Sequence, residues 1–204
     1  MVTMNLSLFL KYNEYICRLK DLVRTGWIRS NVGDGETVAE HMYHTALNTI
    51  IIKEVTEDID IDWSKILIMS LVHDLSESIL GDIPTYEKTR EDRKREKEIL
   101  RDMLRELGYP SEWADEIVEL SSKEGIIVKI LDLISTVYQG IKYIEKGYCS
   151  DYLVNIISNS ISELDKLIGK LESYQLTNLI SFLKGYAVGY IRRCKSVSYT
   201  HLRA

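Results

Sequence analysis

The chain has 204 residues, 45% hydrophobic and 28% charged, an ordinary composition for one globular domain that excludes collagen-like and intrinsically disordered chains. With 26 Lys and Arg against 31 Asp and Glu the net charge is −5, which leaves no broad cationic surface for a nucleic-acid polymer or an anionic membrane. Only 2 prolines and 11 glycines punctuate the chain, too few for a sandwich or barrel of many short strands, so helix is the expected element.

In chain order, Leu6, Phe9, Leu10, Ile16, Leu19 and Val23 recur at threes and fours and predict an amphipathic helix that stops at Gly26. The run GWIRSNVGDG, Gly26 to Gly35, predicts an irregular loop of the kind that carries function. Thr37 with Glu40 is a capping box, and Val38, Met42, Ala46, Leu47 and Ile50 give the next helix an inward face. Asp62 caps a third helix through WSKILIMSLVHDLSESIL, almost wholly apolar until His73 and Asp74 and ended by Gly81. After the turn DIPTYEK comes a charged helix that packs through Ile99, Leu100, Met103, Leu104 and Leu107, its mixed charges reading as a solvated face. Ser111 caps a short helix to about Lys123, and the stretches IIVKILDLISTVYQGIKYIEKG, SDYLVNIISNSISELDKLIGKL and SYQLTNLISFLKGYAVGYIRR are helical patterns in their turn.

The prediction is therefore one all-α domain over residues 1–195, with 196–204 a disordered or non-native tail. Cys17, Cys149 and Cys194 are odd in number and lack metal spacing, which predicts free thiols in a reducing cytosol. The longest uncharged stretch, His41 to Ile52, is 12 residues, too short to span a membrane, and the expected location is cytoplasmic.

His73 and Asp74 interrupt a greasy helix, where an imidazole and a carboxylate need partners or a metal to offset lost hydration. An isolated His-Asp pair is more often a salt bridge than a ligand pair, but this one is not isolated. Asp132 stands inside the apolar run KILDLIS, where a lone aspartate is rarely tolerated without a cation or a hydrogen-bond partner. Together with His41, these two His and two Asp make a mixed N/O set for a divalent transition metal between helices, suiting Mn, Co, Fe or Ni better than Ca. His44, three residues after His41, is more simply a half-buried neighbour.

The series His41, His73-Asp74, Asp132 resembles the H…HD…D signature of the HD-domain metal-dependent phosphohydrolases. LVRTGWIRSN, ETVAEHMYHTA, LVHDLSESILGDIPTYEK and VKILDLIS are similar, in that order, to motifs of the HD-domain 5'-deoxynucleotidases, over roughly residues 22–147. The resemblance implies an HD-domain helical bundle that removes phosphate from deoxyribonucleoside 5'-monophosphates, with a divalent metal (Mn, Co or Mg) on His41, His73, Asp74 and Asp132. It further implies that Glu77 and Asp82 shape the water nucleophile or hold a second ion, that Arg24 or Arg29 with Trp27 meets phosphate and sugar, and that the protein is a homodimer. In the bacterial branch an arginine directly precedes the tryptophan; here Gly26 takes that place, and the RTGW wording is closer to the eukaryotic and archaeal branch.

The chemistry asks for the same residue types. Phosphomonoester hydrolysis needs a metal to polarise phosphoryl oxygens and a carboxylate to take a proton from water, and Glu77, one turn beyond the dyad, is the general-base candidate. An arginine offers a charged fork for phosphate and an indole a face for sugar or base. Two alternatives stand beside this reading. Another HD-type hydrolase, acting on cyclic nucleotides or nucleoside triphosphates, is disfavoured by chain length and by the lack of extra basic residues near the motifs. A catalytically silent nucleotide-binding module has no need of Glu77. The small residues Gly185, Ala187 and Gly189 in the last helical pattern could form a dimer seam.

Overall fold

The structure is a computed structural model that describes the backbone of residues 6–201 and the side chains of residues 6–195. Its helices are α1 (Leu6–Asp21), α2 (Thr25–Arg29), α3 (Val38–Val55), α4 (Trp63–Val72), α5 (Glu77–Leu80), α6 (Arg90–Glu106), α7 (Trp113–Glu119), α8 (Lys123–Glu145), α9 (Asp151–Ile168) and α10 (Tyr174–His201). Most begin at a side chain that satisfies an otherwise orphaned N–H. Thr37 Oγ1 accepts from Glu40 N at 3.2 Å while Glu40 Oε2 accepts from Thr37 N at 2.8 Å, the reciprocal box expected from sequence. Asp62, Ser122 and Ser150 cap α4, α8 and α9 through single carboxylate or hydroxyl oxygens. Among the described residues strand pairing is confined to one antiparallel bridge, Val23 to Thr37.

Helix α8 is the axis of the molecule. Its apolar residues are buried on nearly every side, with Ile127, Ile130, Leu131, Val137 and Ile141 fully enclosed by α3, α4, α9 and α10. Gly140 is where α9 comes closest, since a Cβ there would lie 2.7 Å from Ile157 Cγ1. A second, smaller core under α1 and α6 gathers Tyr12, Leu19, Leu100, Met103 and Leu104.

Several expectations need correction. The first helix ends at Asp21 rather than at Gly26, with Val23 in the bridge to Thr37; the predicted loop from Gly26 to Gly35 begins within α2; and the predicted third helix is two helices, α4 ending at Val72 and α5 starting at Glu77. The break has a local cause: the Ser70 carbonyl, which would accept the next helical N–H, is 2.9 Å from His73 Nδ1, and the 73–77 turn closes with tighter bonds such as Leu75 N to Val72 O at 3.0 Å. The short helix after Pro110 starts at Trp113 without a side-chain cap and ends by Leu120, in the left-handed conformation at φ 56°.

The packing faces of α1 and α3 are also narrower than their periodicity implies. Leu6, Phe9, Leu10 and Ile16 are exposed, and α1 holds on through Tyr12 and Leu19. Leu47 and Ile50 of α3 are likewise exposed. Ala187 lies fully buried inside the chain's own core, so it is unavailable to a dimer seam on α10. Cys149 and Cys194 form a disulfide, with Cα atoms 5.4 Å apart, and only Cys17 is free, where three free thiols were expected. The expected tail over 196–204 falls on residues whose side chains lie outside the described ones, and 202–204 lie outside them altogether.

Candidate metal centre

Helices α3 and α8 bring His41 and Asp132 together, and the turn after α4 delivers His73 and Asp74 to the same point. His41, His73 and Asp132 each offer one donor atom within a cluster spanning no more than 4.8 Å. All three are buried, so their polar atoms have given up water. Asp74, half-buried, places Oδ2 3.2 Å from His73 Nε2 and 3.9 Å from His41 Nε2.

The hydrogen-bond pattern shows that these residues fit a cation. His73 Nδ1 donates to the Ser70 carbonyl, so the neutral ring leaves Nε2 as a bare lone pair, buried and without a hydrogen-bond partner. That lone pair confronts the Asp74 carboxylate, two electron-rich atoms at 3.2 Å whose need for positive charge a divalent ion or a proton answers. The electrostatics agree: burial pushes the His73 imidazole down, but the Asp74 carboxylate more than offsets it and His73 titrates above its ordinary value.

His41 shows the complementary arrangement. Arg24 donates to its Nδ1 at 3.0 Å, which leaves the ring hydrogen on Nε2, donated to Asp132 Oδ1 at 2.9 Å. For Nε2 to hold a cation this hydrogen must leave or move to Nδ1, where Ser135 Oγ at 3.4 Å can accept it once Arg24 turns away. Burial, helped by the Arg24 charge, pushes His41 down to about 4, keeping the ring neutral as a ligand must be. Burial works against the Asp132 carboxylate, but Lys129 and His41 hold it well below the usual carboxylate range.

Glu77 opens α5 and is buried, with Oε2 unpartnered and Oε1 3.7 Å from Lys88 Nζ. Burial, followed by the charges of Asp74 and Asp82, raises its carboxyl well above the ordinary range. Asp82 sits just past Gly81, whose φ of +78° makes the turn. Its carboxylate accepts from the Thr25 backbone N–H, and its carbonyl accepts from Thr25 Oγ1 at 2.9 Å. Asp82 therefore ties the start of α2 to the site. Glu77 and Asp82 lie outside the three-residue donor cluster but line the same cavity.

Of the two candidate arginines, Arg24 is in the site and Arg29 is not. The Val23 to Thr37 bridge, with Arg24 N donating to the Glu36 carbonyl at 3.0 Å, sets Arg24 beside His41, from where it also reaches Thr136 Oγ1 at 3.2 Å. Arg29 points to the surface, paired with Glu87 and 3.5 Å from the Tyr152 hydroxyl. Trp27 is 1% exposed: its indole packs edge-on to Tyr143 and donates to Glu36 Oε2 at 3.2 Å, yet its edge lines a cavity. It is a wall of the site, on α2, rather than a residue of an irregular loop. His44 packs against Tyr138 at 6.2 Å and takes no part.

Two cavities meet at the cluster. One, about 140 Å³, is lined by His73, Asp74, Glu77 and Lys88; the other, about 290 Å³, adds Trp27, Leu133, Thr136, Ile156 and Asn159. Arg24, Asp82, Lys129 and Asp132 belong to both, so the two form one space, charged at one end and partly apolar at the other. Sequence reasoning missed Glu36, Lys88, Lys129 and Thr136. Only Lys129 carried a signal, as a cation one turn before Asp132 within a run of buried aliphatic residues.

Comparison with known proteins finds relatives along most of the chain. The chain is 30% identical over 183 residues to the 5'-deoxynucleotidase HDDC2 of Bos taurus, an alignment covering 83% of this chain and 87% of that protein. It is 32% identical over 145 residues to its counterpart in Danio rerio, covering 67% and 70% of the two chains. A solved structure, a conserved hypothetical protein from Pyrococcus furiosus, superposes with a TM-score of 0.73 at 28% identity over 88% of this chain and 99% of that one. The HD domain family matches residues 16–165, a span that holds the three residues of the cluster and Asp74, and the chain belongs to that family.

Proposed function

We propose that the protein is a metal-dependent phosphohydrolase that removes phosphate from nucleoside 5'-monophosphates, deoxyribonucleotides among them. The observation that carries this reading is the buried, bare Nε2 of His73 facing Asp74, within a donor cluster at the junction of a charged and a partly apolar cavity. The 5'-deoxynucleotidase relatives support the substrate class.

His41, His73, Asp74 and Asp132 would hold the metal, whose chemistry is to polarise the phosphoryl group and acidify water. Its identity among Mn, Co and Mg is left to the assay. The chain's own residues supply the rest. Arg24, always charged and presenting a planar fork, binds phosphate oxygens. Glu77, with its raised proton affinity, takes the proton from the attacking water, while Lys88 beside it favours the ionised state that can accept that proton. Asp82 positions Arg24 through the start of α2, and with Glu77 it could hold a second ion. Trp27, Leu133 and Ile156 wall off the larger cavity and keep water from the nucleoside.

The test is phosphate release from a panel of deoxy- and ribonucleoside 5'-monophosphates by chelator-stripped protein with Mn, Co or Mg added back, beside Asp74→Ala. Metal-restored turnover that Asp74→Ala lacks is the expected result. No release from any monophosphate under any metal overturns the reading and moves the assay to cyclic nucleotides and triphosphates. The reading includes a cytoplasmic homodimer. No helix among the described residues is long and apolar enough to cross a membrane, and an exposed apolar stripe on α3, Tyr43, Leu47, Ile50, Ile51 and Val55, is the face a second copy would cover. Light scattering that returns a mass near 23.6 kDa counts against the dimer.

A further inference from the structure

Lys129 stands where the two cavities join, one helical turn before Asp132 on α8. Its neighbours along the chain, Ile127, Val128, Ile130 and Leu131, are buried in the core, so the lysine stem rises out of apolar packing and delivers its ammonium to the site. Nζ lies 2.7 Å from Asp132 Oδ2, and Asp132 is its one ion-pair partner among the described residues. The other oxygen of the same carboxylate, Oδ1, takes His41 Nε2. One carboxylate is therefore shared between a lysine and a donor cluster suited to a divalent ion.

That sharing cannot persist unchanged when the cluster is filled. An ammonium only partly open to solvent, with a divalent charge on the same carboxylate, loses its ion-pair partner; Glu163 and Asp74 act on it only at longer range and form no ion pair with it, so a closer anion is favoured. It also has three N–H donors, of which Asp132 uses one, and the space beside it is the cavity itself. A phosphate monoester brings the missing negative charge to that spot.

We propose that Lys129 is a phosphate-binding residue whose ammonium passes from Asp132 Oδ2 to a non-bridging oxygen of the substrate phosphate when the metal is in place. The proposal rests on the phosphohydrolase reading above and adds to Arg24 a second phosphate-binding cation from the lining shared by the two cavities. Because the contact exists before as well as during hydrolysis, its loss raises KM more than it lowers kcat.

The test is calorimetric titration of inorganic phosphate into Mn-saturated wild type, Lys129→Met and Lys129→Gln, after Mn affinity has been measured for each, with KM and kcat on a deoxynucleoside monophosphate alongside. Phosphate affinity is expected to fall about tenfold to a hundredfold in both variants, the loss typical of a charge-assisted hydrogen bond, with KM rising in step. Phosphate affinity that stays within about twofold of wild type at saturating Mn overturns the proposal, as does a loss that disappears once Mn is saturating, since both leave Lys129 as a structural neutraliser of Asp132. If Lys129→Met fails to fold, Lys129→Gln carries the measurement. Wild type that binds phosphate through Lys129 but turns over no monophosphate sinks the nucleotidase reading alone; turnover by wild type with unaltered phosphate binding in both variants sinks this proposal alone.

Discussion

Asp132 accepts on both oxygens, from His41 on one and from Lys129 on the other. Asp132→Asn keeps the shape and removes the charge. It is expected to weaken Mn binding by more than the roughly 10–100-fold typical of residues that only orient a ligand, whereas Asp82→Asn, which ties down α2, should fall within that range; titration calorimetry on both separates holding a metal from positioning its surroundings. Glu36 is the residue most invisible in sequence, a glutamate next to a capping threonine. Folding buries it against Trp27 and Arg24, and burial, only partly offset by Arg24, raises its carboxyl to about 6 from 4.5. The sign follows from proton binding: between those values the folded protein holds a proton that the unfolded chain has released, so this contribution to stability is present below 4.5 and lost as pH rises through 6. Glu36→Gln removes it, and the variant should gain about 2 kcal/mol on wild type across that window. Denaturant midpoints of the metal-free proteins at the two ends of the window check this, and a constant difference refutes it.

At the scale of helices, the α8 to α9 contact depends on Gly140. Its absent Cβ admits Ile157 Cγ1 and Cδ1, which would lie 2.7 and 2.9 Å from a methyl group there. Gly140→Ala should therefore destabilise by about 1–3 kcal/mol despite alanine's better helix propensity, seen as a lower Tm. In Gly140→Ala with Ile157→Ala the clash is gone, so the double variant should lose less than the two single losses together; simple additivity would show that the helices were free to separate. The Thr37 and Asp62 caps were legible because a cap is a relation between residues two or three apart. The break between α4 and α5 was not, because periodicity runs straight through His73, and the imidazole's hold on the Ser70 carbonyl and the tighter backbone bonds of the 73–77 turn have no signature in it.

Across the whole molecule, the Cys149 to Cys194 bridge ties α10 to the turn between α8 and α9, closing a separation of 45 residues. Chain-entropy arguments put such a cross-link at about 4 kcal/mol. A reductant should accordingly lower the unfolding midpoint of wild type and leave that of Cys149→Ser/Cys194→Ser unmoved; equal midpoints for wild type with and without reductant would mean the bridge adds nothing in solution. Neither cysteine lines the two cavities at the metal cluster. The expected effect is thus on stability more than on metal affinity.

Local chemistry by itself determined the all-helical class, most helix starts and the identity of His73, Asp74 and Asp132 as residues too costly to bury without a cation or partner, whereas His41 joined them through the resemblance to the H…HD…D signature. The local readings need only nearest neighbours along the chain and the price of burying polar groups. Tertiary structure alone decided that Arg24 rather than Arg29 enters the site, that Trp27 is a buried wall, that two cysteines meet, and that Glu36, Lys88 and Lys129 surround the cluster. Each of these is a meeting between side chains brought together by helix packing. Spacing along the chain does not encode which of several equally plausible cations or carboxylates the packing will carry to one point.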